Sequence, residues 1–91
     1  MDQWETETLF WPLMDLKEAK QRFPPIWTIY DHPRDYPEHF VVRVFYGLEK
    51  ESQADTFDTL EDARRFVLQQ GGSFNLHRKE EDDPVIAESW I

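Results

Sequence analysis

The sequence has no cysteine and only three glycines among its 91 residues. The absence of cysteine excludes a disulfide framework, a thiolate nucleophile and cysteine-ligated zinc. So few glycines leave no glycine-rich loop of the kind that cradles a phosphate. The chain also lacks the roughly 20 consecutive apolar residues that a membrane helix needs, and its acidic start has no basic region typical of a secretory signal. We therefore expect a cytoplasmic protein.

Basic residues are scarce as well. Ten Lys and Arg stand against nineteen Asp and Glu, which gives a formal net charge of −9 and a pI near 4.6. This charge disfavours direct binding to nucleic acid or to an anionic membrane, because both require positive surfaces. It favours association with a basic protein surface, although an acidic surface also serves solubility alone.

Aromatic residues, in contrast, are plentiful: seven Phe, four Trp and three Tyr. Because each ring buries on the order of 150–250 Å², the short chain has enough apolar material for one small core. We predict an N-terminal arm over residues 1–25 and a compact domain over residues 26–91.

Alternating β-branched and aromatic residues predict two strands, over 26–31 and 39–47, joined by a loop. A short third strand is predicted at 54–57, and two more at 73–77 and 85–91, with Phe74 and Leu76 inward. One face of the second strand is wholly apolar or aromatic and is therefore the predicted core face; it carries Phe40, Val42, Val44 and Tyr46.

One principal helix is predicted between the third and fourth strands. Asp58 or Thr59 caps its start, and Gly71-Gly72 ends it. Its core-facing stripe follows helical spacing and comprises Leu60, Ala63, Phe66 and Val67. The predicted fold class is α+β: a four- or five-stranded, mainly antiparallel sheet with this helix packed on one face, in the order β-β-β-α-β-β.

The first 25 residues are compatible with two structures. Leu13, Leu16 and Phe23 allow a short amphipathic helix that starts near Pro12 and must end at Pro24-Pro25. The segment either packs on the sheet as a second helix or acts as an arm for a partner or a second copy.

The loop Tyr30–Pro37, YDHPRDYP, concentrates polar chemistry between the first two strands. Its structural interpretation is a stiff turn, with His32 extended before Pro33 and Pro33-Arg34 at the turn centre. Asp35 is expected to form an Asx turn, and Arg34 to pair with the neighbouring carboxylates of Asp31 or Asp35. The Tyr36–Pro37 peptide bond could be cis. As a loop it could also contact a partner, through Asp31, His32, Arg34, Asp35 and Tyr36.

Two catalytic or metal-binding interpretations of this loop are weaker. Asp31, His32 and Asp35 could form an acid–base group, but the chain offers no matching nucleophile. His32 and His39, with Asp31 and His77, lack the close ligand pairs on a regular element that zinc sites use. We predict no cofactor, no metal and no enzymatic activity.

The acidic residues form two groups along the sequence. Carboxylates spaced over a rigid surface can imitate a phosphate backbone and occupy the basic groove of a nucleic-acid-binding protein. The candidate partner-binding residues are Glu49, Glu51, Asp55, Asp58, Glu61 and Asp62, and the separate run Glu80, Glu81, Asp82 and Asp83.

Three segments, Tyr30–Pro37, Phe40–Arg43 and Asp83–Trp90, carry a resemblance. With YDHPxDYP, FVVR and DPVIxExW, the chain resembles a family of small, uncharacterised acidic proteins of proteobacteria and their mobile elements. The resemblance covers about residues 27–91 and implies no activity. It raises the expectation of an inhibitor from a phage or mobile element, of the anti-CRISPR or anti-restriction type.

We therefore expect a protein-binding module that presents an acidic face to a basic groove. The alternative is a small bacterial cytosolic protein, monomeric or homodimeric through a sheet edge. An enzyme at the YDHPRDYP loop is the more distant alternative.

Overall fold

A computed structural model describes residues 15–76 and 83–91 of the chain. In chain order, the elements are α1 Leu16–Arg22, β1 Ile26–Asp31, β2 Phe40–Tyr46, β3 Glu49–Lys50, β4 Asp55–Phe57, α2 Leu60–Gln70 and β5 Ile86–Trp90. No helix in these two ranges is long and apolar enough to cross a membrane.

The five strands form one antiparallel sheet in which β1 is central. Its order is β3-β2-β1-β5, and β4 pairs with the other half of β2 beside β3. Helix α2 contacts β1, β2 and β4. The predicted α+β fold, with a five-stranded antiparallel sheet under one principal helix, is confirmed. The two-residue strand β3 adds to the strands that were predicted.

The loop between β1 and β2 is closed by backbone hydrogen bonds, but its turn is displaced from the prediction. The amide of Tyr36 donates to Pro33 O at 2.9 Å, so Arg34 and Asp35 occupy the turn centre instead of Pro33 and Arg34. His32 has φ 50°, in the left-handed region, so its predicted extended conformation is wrong. No peptide bond in the described ranges is cis, so Tyr36–Pro37 is trans.

Helix α2 follows its sequence signals closely. Thr59 is the N-cap and its hydroxyl accepts from the Asp62 amide at 3.1 Å, while Gly71 ends the helix with φ 117°. The predicted stripe packs against the sheet, with Ala63 and Val67 fully buried. The core cluster combines these two with Trp27, Ile29 and Val42, and the partly buried Phe40, Val44, Leu60 and Phe66 border it.

Helix α1 confirms that a short helix precedes the two prolines. Asp15 caps it by accepting from the Glu18 amide at 2.8 Å, and Phe23 ends it. The helix contacts β2 and β3, and Phe23 lies against Gly47 in the β2–β3 turn. Residues 1–14, including the predicted start near Pro12, lie outside the described ranges.

The segment after α2 differs from its prediction. Residues 73–76 run antiparallel to β5 as an irregular edge with a single bridge, Asn75 to Trp90. Phe74 and Leu76, predicted to point inward, are 62% and 40% exposed. The polar Asn75 is directed inward instead, where its amide donates to Glu88 at 2.9 Å.

Candidate functional site

Four of the predicted partner-binding acids line two neighbouring cavities beside α2. The first cavity, of about 370 Å³, is bordered by Asp58 and Asp62. The second, of about 460 Å³, is bordered by Glu51 and Asp55. The ring of Phe66 forms a wall of both. We call Glu51, Asp55, Asp58 and Asp62 the acidic face.

The first cavity lies where β4 leads into the N-terminus of α2. Asp58 is 89% exposed, and its Oδ1 lies 3.6 Å from Nδ1 of His39, too far for a hydrogen bond. That nitrogen is buried and has no hydrogen-bond partner among the described residues. Asp62 faces Arg65 at 3.6 Å across the helix surface. Since exposed pairs of this kind contribute little energy, both carboxylates are available to another cation.

The second cavity has aromatic walls. Trp27, Tyr46 and Phe66 contribute them from β1, β2 and α2. Glu51 binds Lys20 of α1 at 2.5 Å, and the same ammonium lies 5.5 Å from the centre of the Tyr46 ring. Asp55 accepts from the Gln53 amide at 3.0 Å, and in the described ranges it forms no ion pair.

The other predicted acids are not brought to these cavities. Glu49 pairs with Tyr46 in the short β3 ladder, and Glu61 faces Arg65 at 3.9 Å. Asp83 accepts from the Val85 amide at 3.0 Å at the start of β5. Glu80, Glu81 and Asp82 lie outside the described residues.

The loop residues mostly interact with one another or with the sheet. Asp31 pairs with His32. Asp35 binds Arg43 on β2 at 2.8 Å, so the side chain is not used in the predicted Asx turn. Arg34, expected to pair with Asp31 or Asp35, forms no ion pair with any described residue. Tyr36 lies within the turn, and His39, at the end of the loop, is the described loop residue that lines one of these two cavities.

A buried carboxylate that the sequence analysis did not single out lies on the other side of α2. Glu88 of β5 is 8% exposed. Arg64 binds it through two hydrogen bonds, Nε to Oε1 at 2.8 Å and Nη2 to Oε2 at 2.6 Å. Asn75 donates at 2.9 Å, and the Trp90 indole at 3.3 Å. Two charged hydrogen bonds to one helix residue make this a bidentate ion pair.

Two opposing effects act on the pKa of Glu88. Burial would raise it, but hydrogen bonds from Arg64, Asn75 and Trp90, together with the charge of Arg64, hold the pKa below its ordinary 4.5. Glu88 is therefore ionised at neutral pH and fully occupied by internal donors. Its hydrogen bonds join β5 to the edge segment and to α2.

In residues 15–76 and 83–91, no group of three or more His and acidic side chains is arranged to hold a metal ion. His77, one of the ligands considered from the sequence, lies outside these ranges.

Comparison with family models, curated proteins and solved structures yields no match. The resemblance to the small acidic proteobacterial family stays a prediction.

Proposed function

We propose that this chain is a non-enzymatic protein-binding module that presents its acidic face to a basic surface of a larger protein. The observation that carries the proposal is the position of the four acids around two cavities that share Phe66. Negative charge accelerates the encounter with a basic partner, whereas cavities with aromatic walls supply contact area after docking. Both properties occur on one face.

A specific form of this proposal is an inhibitor of a nucleic-acid-binding protein, of the anti-CRISPR or anti-restriction type. The acidic face would then occupy the groove that binds phosphates. The net charge of −9 and the exposure of Asp58 support it, because a phosphate-binding groove is basic and attracts separated carboxylates.

The proposal predicts that capture of the partner depends on the acidic face and not on net charge. We expect the Asp55→Asn/Asp58→Asn variant to capture about tenfold less of a basic protein from a lysate of the encoding cells, since each rim charge contributes roughly 0.5–1 kcal/mol. The measurement is a pull-down at low salt followed by elution at about 0.5 M NaCl, where such charges are screened.

The matched control is Glu18→Gln/Glu38→Gln, which changes the net charge equally at residues that line neither cavity. It should capture as much as the unchanged chain. Equal losses in both variants, or capture that resists salt, would contradict the proposal.

Self-association is a second candidate function, favoured by an exposed apolar edge. Phe74, Leu76 and Ile91 are 62%, 40% and 46% exposed at the outer side of β5. The backbone amides of Phe74 and Leu76 donate hydrogen bonds to carbonyl groups of Ile91 and Ser89. In an antiparallel pair, the backbone groups of the intervening Asn75 then point away from β5, to the outer edge. An apolar edge with unpaired backbone groups is a template for a second copy.

This candidate predicts a dimer that depends on Phe74. At micromolar concentration we expect light scattering to give about 22 kDa, twice the 11.0 kDa chain mass. Phe74→Ser should restore the monomer mass, whereas Leu48→Ser, which removes an even more exposed apolar residue (79%) from the β2–β3 turn, should not. A monomer mass for the unchanged chain excludes this interface.

A further inference from the structure

The second cavity combines aromatic rings and carboxylates in a way that suits a cation. Trp27, Tyr46 and Phe66 line it together with Glu51 and Asp55. Rings attract cations through their negative faces, and desolvated sites strengthen that attraction. At about 460 Å³, the cavity falls within the size range of ligand sites.

The protein already places a cation of its own at the rim of this cavity. The Lys20 ammonium contacts both Glu51 and the Tyr46 ring, at 2.5 Å and 5.5 Å. A carboxylate and an aromatic face therefore act together on one positive charge within the molecule. Asp55, the other carboxylate of the cavity, forms no ion pair in the described ranges and accepts only from Gln53.

We propose that the second cavity receives an arginine side chain of a protein partner, with Asp55 as its carboxylate and the half-buried rings of Tyr46 and Phe66 as its stacking surface. This inference rests on the proposed function and identifies one contact of that basic partner. Arginine suits the cavity better than lysine, because its planar guanidinium stacks on rings while its five donors bind carboxylate and amide oxygens. The side-chain amides of Gln53 and Gln70 supply such oxygens at the rim.

Lys20 competes with this arginine. Both cations use the electrostatic field of Glu51 and the face of Tyr46, so the second positive charge enters against repulsion from the first. Removal of Lys20 therefore strengthens arginine binding, although it removes a contact from the protein itself.

The test is an NMR titration of the ¹⁵N-labelled full chain with a blocked pentapeptide that has one arginine between glycines. We expect saturating shifts of the Trp27 indole and of the Gln53 and Gln70 side-chain amides. The lysine peptide should bind about threefold more weakly, and the peptide with citrulline, which is neutral but similar in shape, should not bind. Shifts confined to Gln69 of the first cavity, equal binding of citrulline, or no saturation at millimolar peptide overturn the inference.

Two pairs of variants separate the site from net charge. Asp55→Asn should weaken arginine-peptide binding about fivefold, against less than twofold for Glu38→Gln. Lys20→Gln should strengthen it about threefold, whereas Lys17→Gln, with the same charge change on the same helix, should leave it unchanged. Equal effects within either pair contradict the proposed site.

The titration tests the arginine site and the pull-down tests the proposed function, so either claim can be contradicted while the other stands. If the peptide shifts the first cavity while capture still requires the acidic face, the arginine site is wrong and the proposed function stands. If the peptide binds at Asp55 but no basic protein is captured, the cavity binds arginine and the proposed function is wrong.

Discussion

Replacing Arg64 with alanine is expected to lower the free energy of unfolding by about 2 kcal/mol at neutral pH, because it leaves the buried Glu88 carboxylate without a countercharge. The loss is smaller than for a fully buried pair, since the Arg64 side chain is itself 45% exposed and Asn75 and Trp90 still donate to the same oxygens. Urea denaturation monitored by tryptophan fluorescence measures it. The neighbouring Arg65→Ala should cost less than about 0.5 kcal/mol, because its pairs with Glu61 and Asp62 are exposed and long.

Neutralising the carboxylate as well should recover much of this loss. The double variant Arg64→Ala/Glu88→Gln buries a neutral amide whose oxygen can accept from the Trp90 indole and whose NH2 can donate to Asn75 Oδ1 once the Asn75 amide is turned, with no uncompensated charge. An additive double variant would show that Arg64 acts through packing of its side chain instead of through Glu88.

The pH dependence of unfolding gives an independent check. In the unchanged chain the pKa of Glu88 is below 4.5, so its contribution is complete above pH 4.5 and is lost as the pH falls through the folded-state pKa. In Arg64→Ala burial acts without that countercharge, so we expect the pKa of Glu88 to be higher than in the unchanged chain. That variant should therefore lose less stability than the unchanged chain as the pH falls below neutral. Parallel profiles for the two proteins would contradict this assignment.

Gly72→Ala is expected to lower the free energy of unfolding by about 2 kcal/mol through overpacking. A Cβ atom at this buried position would lie 2.5 Å from Cγ1 of Val67 and 3.2 Å from Cε3 of Trp27. Both neighbours belong to the core and have little room to move. Thermal or urea denaturation measures the loss.

The adjacent Gly71 provides a control with a different cause. Its φ of 117° strains any other residue, yet a Cβ would meet only the Trp27 ring at 3.8 Å. Gly71→Ala should therefore cost about 1 kcal/mol from backbone strain alone. Val67→Ala should reduce the added cost of Gly72→Ala but not of Gly71→Ala. The opposite pattern would show that backbone strain dominates at Gly72.

Much of the fold could be predicted because local signals agreed with one another. Helix α2 begins after Thr59 and ends at Gly71, and its apolar stripe begins and stops at the same points. The alternation in Phe40–Tyr46 identified the strand face that packs under the helix. The edge segment was mispredicted because Phe74 and Leu76 alternate as in a buried strand. Alternating residues indicate a strand but do not show which of its two faces is buried. Here Asn75 faces inward because its side-chain amide donates to the buried Glu88 carboxylate.

The acids of the candidate site could be selected by their charge, whereas its cavities could not. Asp55 and Asp58 are close to each other in sequence, but the Trp27 and Phe66 walls come from a distant strand and from α2. Only the folded sheet brings these residues together. The same reason hides the Glu88 network, in which Arg64 is 24 residues from its partner.

Strand β1 lies between β2 and β5, and we expect its pairing with β2 to form earlier than its pairing with β5. It pairs with β2 across the short loop 32–39, but with β5 only after the whole stretch 32–85 has been brought back, so that Trp27 meets Trp90. Closing the longer loop costs more chain entropy and makes that contact slower to form. We therefore expect the β1–β2 hairpin to form first, and β5, with its buried carboxylate, to complete the sheet afterwards.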